Sequence, residues 1–178
     1  MNALKKIVLI ALLIPVALVV VSLFLSSRYR VERSVTMRAK PSAIFSQINT
    51  LKQWPEWTAW TVAKYPDMKV YFTGPEAGEG AVCSWEGQSS GQGTLKLTRS
   101  DPDKSIGYDL DFERGKYPSK GVITIEPAGD SVKVSWSNEG DLGWNPVSRF
   151  FGLFMDKMMG PDFEEGLLNL REKVETKP

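Results

Sequence analysis

The side chains that could carry out acid–base chemistry in this 178-residue chain are carboxylates and tyrosines, because the sequence contains no histidine. That absence removes Ser-His-Asp and Cys-His mechanisms, imidazole general bases and most catalytic zinc sites. The single cysteine, Cys83, has no second cysteine with which to form an intrachain disulfide or a Cys-x-x-Cys site. No cationic residue lies beside it in the run 81–85, which favours a small buried hydrophobe over a reactive thiol. We expect no metal and no cofactor.

Two sets of carboxylates are candidates for catalysis. Asp109, Asp111 and Glu113 alternate with the apolar residues of one strand-like segment, which places them on the solvated face of a sheet. The second candidate is Glu86, which follows Trp85. A Glu86 side chain inside an apolar cavity would have a raised pKa and could act as a general acid or base. Glu86 is therefore the one weak catalytic candidate.

Three of the six tryptophans, Trp54, Trp57 and Trp60, lie close together around Pro55. Tryptophan is large and costly to leave in water, so such a cluster forms either a packed corner of the core or the mouth of a pocket. Trp57 and Trp60 are expected near the start of the sheet, at one end of any cavity. Packing and ligand contact are both consistent with this position.

Inward-facing side chains of the predicted strands and of the C-terminal helix are the other candidates for ligand contact. Tyrosine and tryptophan add a polar atom to an apolar body and can orient a ligand, while methionine adapts to varied ligands. Ordinary core packing is the alternative for every one of them. The predicted ligand-binding residues are Trp57, Trp60, Tyr71, Trp85, Tyr108, Leu110, Phe151, Met155 and Met159.

Alternation of apolar and polar residues predicts a series of short strands separated by Gly, Pro and Asp turns. The clearest strand is the one that contains Tyr108 and Leu110. Short turns between consecutive strands imply an antiparallel meander and not a parallel sheet. The predicted strands are 30–37, 68–73, 81–86, 93–98, 106–112, 121–126 and 132–137.

Helical signals flank the strands. After the first strand, Ser42 is a plausible N-cap of a short helix, and residues 51–57 form a second short helical turn that Pro55 limits. A long helical segment begins at Asn145-Pro146, and Gly160-Pro161 is expected to break or kink it. The predicted fold class is α+β, with a curved antiparallel sheet of about six to seven strands gripping one long C-terminal helix.

The N-terminal segment is a candidate membrane anchor. Residues 7–25 form a run of 19 without a charge, about 28 Å long as a helix and close to the thickness of a bilayer core. A cleaved signal peptide is the rival, but the exit from the run has bulky residues where small ones are required. We expect residues 1–28 to form a transmembrane anchor with its flanks and residues 29–178 to form the folded domain. The flanking charges leave the membrane side of that domain open.

Charge argues against a nucleic-acid partner. The formal net charge is +1, and setting aside Lys5, Lys6 and Arg28 leaves 19 basic against 21 acidic residues. A nearly neutral body without a basic block is not typical of a protein that binds phosphate backbones.

The order and spacing of several short segments resemble the START-related helix-grip superfamily, in its bacterial polyketide cyclase/dehydrase-like (SRPBCC) branch. The resemblance covers about residues 29–174, and it implies a hydrophobic cavity for a lipid or another small apolar molecule. It supplies no shared catalytic motif, so no catalytic residue is carried over from it. The resembling segments are Val31-Glu32-Arg33-Ser34-Val35, Pro41-Ser42-Ala43-Ile44-Phe45, Trp54-Pro55-Glu56-Trp57 with Trp60, Met68-Lys69-Val70, Ser84-Trp85-Glu86-Gly87 and Phe163-Glu164-Glu165-Gly166-Leu167.

The main functional hypothesis is therefore a single-pass membrane protein whose domain binds a lipid or other hydrophobic small molecule without turnover. The first alternative is an enzyme of the cyclase/dehydrase type that uses Glu86 or a tyrosine of the pocket. The second alternative is a membrane-tethered interaction module, which an exposed apolar patch on the body would favour.

Overall fold

A computed structural model describes residues 3–175, and the strands among them form one antiparallel sheet. The sheet has seven strands in the order β1-β7-β6-β5-β4-β3-β2, so every strand except β1 follows its chain neighbour in a meander. The predicted curved sheet of six to seven strands is confirmed. The strands are β1 Arg28–Met37, β2 Lys69–Thr73, β3 Val82–Gly87, β4 Gly91–Asp101, β5 Ser105–Phe112, β6 Tyr117–Ala128 and β7 Ser131–Asp141.

Four α-helices and one 3-10 turn complete the described chain. Two short helical elements follow β1, as predicted, and the long helix α4 packs against β1. Residues 176–178 of the predicted domain, and the side chains of residues 3–12 and Pro15 in α1, lie outside the described part. The helices are α1 Ala3–Phe24, α2 Pro41–Asn49, α3 Pro146–Gly152 and α4 Met155–Val174, with the 3-10 turn at Leu51–Glu56.

The predicted N-cap of α2 is wrong, and of the break or kink expected at Gly160-Pro161 the break does not occur. Helix α2 begins at Pro41 with Lys40 at the N-cap position, so Ser42 lies inside the helix and caps nothing. Proline has a fixed φ that suits the first helical turn, which lets the helix begin before the serine. Helix α4 continues through Gly160-Pro161, and the interruption falls instead between α3 and α4, at Leu153 and Phe154. Pro161 removes one backbone hydrogen bond near the start of α4, whereas the rest of the helix is held by burial.

Aromatic packing between the sheet and α4 forms the centre of the core. Trp136 of β7 stacks on Phe163 of α4 with ring centroids 4.2 Å apart and planes 2° apart. The tryptophan cluster packs on the same ring, since the centroids of Trp54 and Trp57 lie 5.8 and 5.4 Å from that of Trp136. The cluster is therefore a packed corner where the 3-10 turn meets the sheet. Leu167 and Leu170 continue the buried stripe of α4.

Helix α1 joins the domain at the amino end of β1. Arg149 of α3, only 9% exposed, donates from Nη1 to the carbonyl oxygens of Ser22, Leu23 and Leu25 at 3.2 to 3.4 Å. These carbonyls belong to the last turn of α1 and the residue just after it, where the backbone has few partners within the helix. Among the described residues, no helix has the length and hydropathy that a membrane span requires. The anchor at residues 7–25 stays a prediction.

Phe163→Ala should lower the free energy of unfolding by about 3–5 kcal/mol, because it removes a fully buried ring and leaves a cavity against Trp136. Urea unfolding of the full chain in a mild detergent, followed by tryptophan fluorescence, measures the change. Phe154→Ala, which truncates a ring that is 52% exposed, is the matched control and should change stability by about 0.5 kcal/mol or less. Equal losses in the two variants would contradict the role given to the stack.

Candidate functional site

A cavity of about 890 Å³ lies between the concave face of the sheet and the helices α3 and α4. Its inner part is bounded by Trp54 and Trp136, and it extends toward the sheet end where β1 begins and β7 finishes. Ser89 and Lys116, in the β3–β4 and β5–β6 hairpins at that end, are both exposed and line the cavity. We call this end of the sheet the open end.

Seven of the nine predicted ligand-binding residues line this cavity. They come from the loop after the 3-10 turn, from strands β3 and β5, and from the two C-terminal helices. Alternation and helical spacing found those on the strands and helices, whereas Trp60 was found through the tryptophan cluster. Their contact with a ligand stays a prediction. The seven are Trp60, Trp85, Tyr108, Leu110, Phe151, Met155 and Met159.

The other predicted residues lie elsewhere. Trp57 is fully buried against Trp54 and does not reach the cavity wall. Tyr71 is 50% exposed, and its hydroxyl donates to Oε1 of Glu86 at 3.1 Å. That hydrogen bond raises the pKa of Tyr71. Glu86 is exposed beside it, so this carboxylate does not occupy the apolar environment that general acid–base chemistry there would need.

The wall of the cavity is a row of side chains that crosses the sheet from one strand to the next. Cross-strand pairing aligns one inward-facing residue from each of six strands, and polar members occupy the β1–β6 side whereas apolar members occupy the β3–β5 side. The row reads Cys83, Leu95, Leu110, Ser119, Gly140 and Tyr29.

Three aromatic rings of the wall lie directly over glycines on the neighbouring strand. Tyr108 pairs with Gly121, Trp85 with Gly93 and Tyr29 with Gly140. A Cβ atom at these glycines would lie 1.9, 2.4 and 2.7 Å, respectively, from the ring. Each ring can pack flat against the backbone of the neighbouring strand only because the glycine there has no side chain. The flattened rings widen the space above the sheet.

A hydrogen-bonded polar cluster lies beneath the β1–β6 side of the cavity. The indole nitrogen of Trp136 donates to the hydroxyl oxygen of Tyr108 at 2.8 Å. The hydroxyl of Tyr29 donates to Oδ1 of the fully buried Asn138 at 3.3 Å, and Nδ2 of Asn138 donates to the hydroxyl of Ser119 at 3.2 Å. Sequence reasoning missed Tyr29, Ser119 and Asn138, because only the pairing of β1, β6 and β7 brings them together.

Burial keeps the two tyrosines of the polar cluster protonated. Desolvation raises the pKa of Tyr108 to about 12 and also raises the pKa of Tyr29. Both phenols therefore remain neutral near pH 7 and can donate or accept a hydrogen bond. Cys83 lines the apolar side, and burial raises the pKa of its thiol to about 11, so it is a neutral wall residue and not a nucleophile.

Two carboxylates that the sequence did not single out border the cavity. Asp162 of α4 forms an ion pair with Lys64, with 2.8 Å between Oδ1 and Nζ. Asp141 accepts a hydrogen bond from the backbone N–H of Gly143, and this bond lowers the pKa of its carboxyl. Both acids are engaged by partners. Asp109 and Asp111 are exposed on the outer face, as the alternation predicts.

The sequence profile of the family described as polyketide cyclase / dehydrase and lipid transport matches residues 28–175. No curated protein matches the chain. Solved structures that resemble it share the fold at low sequence identity, which carries no residue role across. Truncated norcoclaurine synthase from Thalictrum flavum is 14% identical with a TM-score of 0.61, covering 85% of this chain and 96% of that one.

Two further structures show the same fold. A protein from Thermobifida fusca is 16% identical with a TM-score of 0.61, and the match covers 82% of this chain and 92% of that one. The Aha1 dimer from Colwellia psychrerythraea is 15% identical with a TM-score of 0.54, and the match covers 82% of this chain and 96% of that one.

Gly121→Ala should lower the free energy of unfolding by about 1–3 kcal/mol, because the new methyl group forces the ring of Tyr108 off the sheet and away from Trp136. Near-ultraviolet circular dichroism and urea unfolding of the full chain measure the displacement and its cost. Gly107→Ala is the matched control on the same strand as Tyr108, since a Cβ there meets only ordinary contacts of 3.4 Å or more. A Gly121→Ala variant as stable as Gly107→Ala would contradict this account of the cavity wall.

Proposed function

The chain belongs to the polyketide cyclase/dehydrase and lipid transport family of the SRPBCC superfamily, and we propose that its domain binds a lipid or other hydrophobic small molecule without turnover. The observation that carries this proposal is the cavity of about 890 Å³, which is the size of a small-molecule site. Its walls are mostly aromatic, aliphatic and methionine side chains, with few polar groups. Such a lining favours an apolar ligand body, and the flexible Met155 and Met159 permit more than one ligand shape.

The polar cluster gives the proposed ligand an orientation. Tyr29 and Ser119 lie on one side of the wall row, whereas Leu95 and Leu110 lie on the other. A molecule with one hydroxyl, carbonyl or carboxyl group gains a hydrogen bond on the first side and buries its apolar body on the second. This arrangement favours an amphiphile or an oxygenated apolar compound over a pure hydrocarbon.

A cyclase/dehydrase-type reaction is the second candidate function. The specific observation in its favour is that the buried Tyr108 and the half-buried Tyr29 place protonated hydroxyls on the cavity wall, which could donate a proton or a hydrogen bond to a carbonyl oxygen. Glu86 gives no support to this candidate, because it lies outside the cavity. Asp162 is paired with Lys64, and Asp141 accepts a hydrogen bond from the backbone of Gly143. Among the described residues, the cavity therefore has no free carboxylate to act as a base, and binding is the first proposal.

We further propose that the hydrophobic segment at residues 7–25 anchors the domain to a membrane. Its support is the uncharged run itself and the direct continuation of α1 into β1, which leaves no long linker between the segment and the domain. The membrane side on which the domain lies is not assigned.

Leu110→Trp should reduce ligand occupancy, because the larger side chain fills the middle of the cavity. Native mass spectrometry of the purified full chain, with extraction and identification of any bound small molecule, measures occupancy, which we expect to fall on the order of 10-fold. Asp109→Asn changes the next residue on the solvent face and is the matched control. Wild-type protein that carries no hydrophobic compound and takes up none from added lipid extract would overturn the binding proposal. Conversion of the bound compound would favour the enzyme instead.

The full chain should stay in the membrane pellet after extraction with alkaline carbonate, because 19 uncharged residues are long enough to span the bilayer core. A Val19→Arg variant should be released, since a charge near the middle of the segment is costly in hydrocarbon. Ser27→Arg, just beyond the segment, is the control and should remain in the pellet. Release of the wild-type chain would refute the anchor without affecting the binding proposal.

A further inference from the structure

An exposed apolar surface extends from the loop before α3 over α3 and the connecting turn to the first turn of α4. Its six members are between 52% and 83% exposed, whereas most large apolar side chains of the domain are buried. Contiguous exposed apolar surface of this kind marks a binding face. We call it the docking face, and its residues are Trp144, Val147, Phe151, Leu153, Phe154 and Met158.

The docking face borders the open end of the cavity. Val147, Phe151 and Met158 have side chains that are both exposed and part of the cavity lining. The pairing of Arg28 with Asp141 places the beginning of β1 and the finish of β7 at this same end. Helix α1 precedes β1 and α3 follows β7, so topology brings α1, the docking face and the cavity opening together.

Arg149 fixes the docking face to the last turn of α1. Its guanidinium donates to three carbonyl oxygens at the end of α1 and to the carbonyl oxygen of Gly143 at 3.1 Å. The same group lies 5.1 Å from the ring centroid of Trp144. A cation at a helix C-terminus interacts favourably with the helix dipole. Wherever the end of α1 lies, α3 must therefore lie beside it.

We propose that the docking face lies in the headgroup layer of the bilayer that α1 enters, so that the cavity opens toward the membrane and exchanges its ligand with the lipid phase. The proposal rests on the membrane anchor proposed above. The last turn of a spanning helix lies at the interface, so α3, held to that turn, lies at the same depth. The exposed Trp144 suits this layer, because the apolar part of an indole ring can meet the acyl chains while its N–H reaches water.

The test uses the full chain reconstituted in phosphatidylcholine vesicles that contain lipids brominated near the headgroup. The Trp144 signal is the difference in fluorescence between the wild-type chain and Trp144→Phe. Trp144 is 83% exposed, so bromine in contact with it should quench this difference, whereas vesicles without brominated lipid should leave it unchanged. A second measurement is the rate at which a fluorescent fatty acid passes from the vesicles into the protein.

The paired substitution Leu153→Asp with Phe154→Asp places two charges on the docking face without altering the cavity lining. It should abolish the quenching and slow fatty-acid entry on the order of 10-fold, since it removes the apolar contact with the bilayer. Val62→Asp, at a residue that is 52% exposed and outside the cavity lining, is the matched control and should change neither.

The outcomes distinguish failure of the docking proposal from failure of the anchor proposal. Protein that floats with the vesicles while Trp144 stays unquenched overturns the docking proposal and leaves the anchor standing. Protein that does not float overturns both. The paired substitution could instead prevent chemical cross-linking of a dimer in the vesicles, or release a bound protein partner, without any effect on quenching. In that case the docking face is a protein interface and the membrane assignment is wrong.

Discussion

The stack of Trp136 on Phe163 is the contact on which the rest of the domain depends. It sets the distance between the sheet and α4 at one point, and Trp54 and Trp57 fill the space around that point. This end of the domain is therefore filled by aromatic side chains. Because seven strands provide a surface much larger than these rings cover, the space toward the open end stays unfilled, and the cavity begins where the aromatic packing stops.

A cavity of this size is costly unless something supports its walls or fills it. Protein interiors normally reach the packing density of organic crystals, and lost contacts around a void reduce stability. In this domain the three ring-over-glycine pairs support the wall, since each ring already contacts the backbone of its neighbour and cannot collapse further inward. A bound hydrophobic molecule would restore the missing contacts on the other side of the rings. Ligand binding would then stabilise the folded state by mass action.

Local patterns were sufficient to predict the sheet, the two short helices and the stripe of α4, because period-2 and period-3.6 burial repeats are properties of single segments. Six of the seven cavity residues followed from the same patterns, and Trp60 followed from the tryptophan cluster. The sequence could not show which of Trp57 and Trp60 faces the cavity, because that depends on how the 3-10 turn packs against the sheet. The sequence could not show which face of the sheet Glu86 lies on, because β3 neighbours the short edge strand β2 and burial along β3 does not alternate. The polar cluster around Asn138 could not be predicted from the sequence, because it forms only when β1 pairs with β7. That pairing joins residues more than a hundred positions apart.

The division of the wall row constrains how a ligand can lie. Within the wall row, the hydrogen-bonding side chains Tyr29 and Ser119 lie on β1 and β6, while Cys83, Leu95 and Leu110 on β3 to β5 are apolar or only weakly polar. Under the binding proposal, a ligand with one polar end would lie across the strands with that end near β1. Helix α1 leads directly into that same strand. The side of the wall row that carries hydrogen-bonding groups is thus the side that follows α1 directly in the chain, with Tyr29 at the beginning of β1.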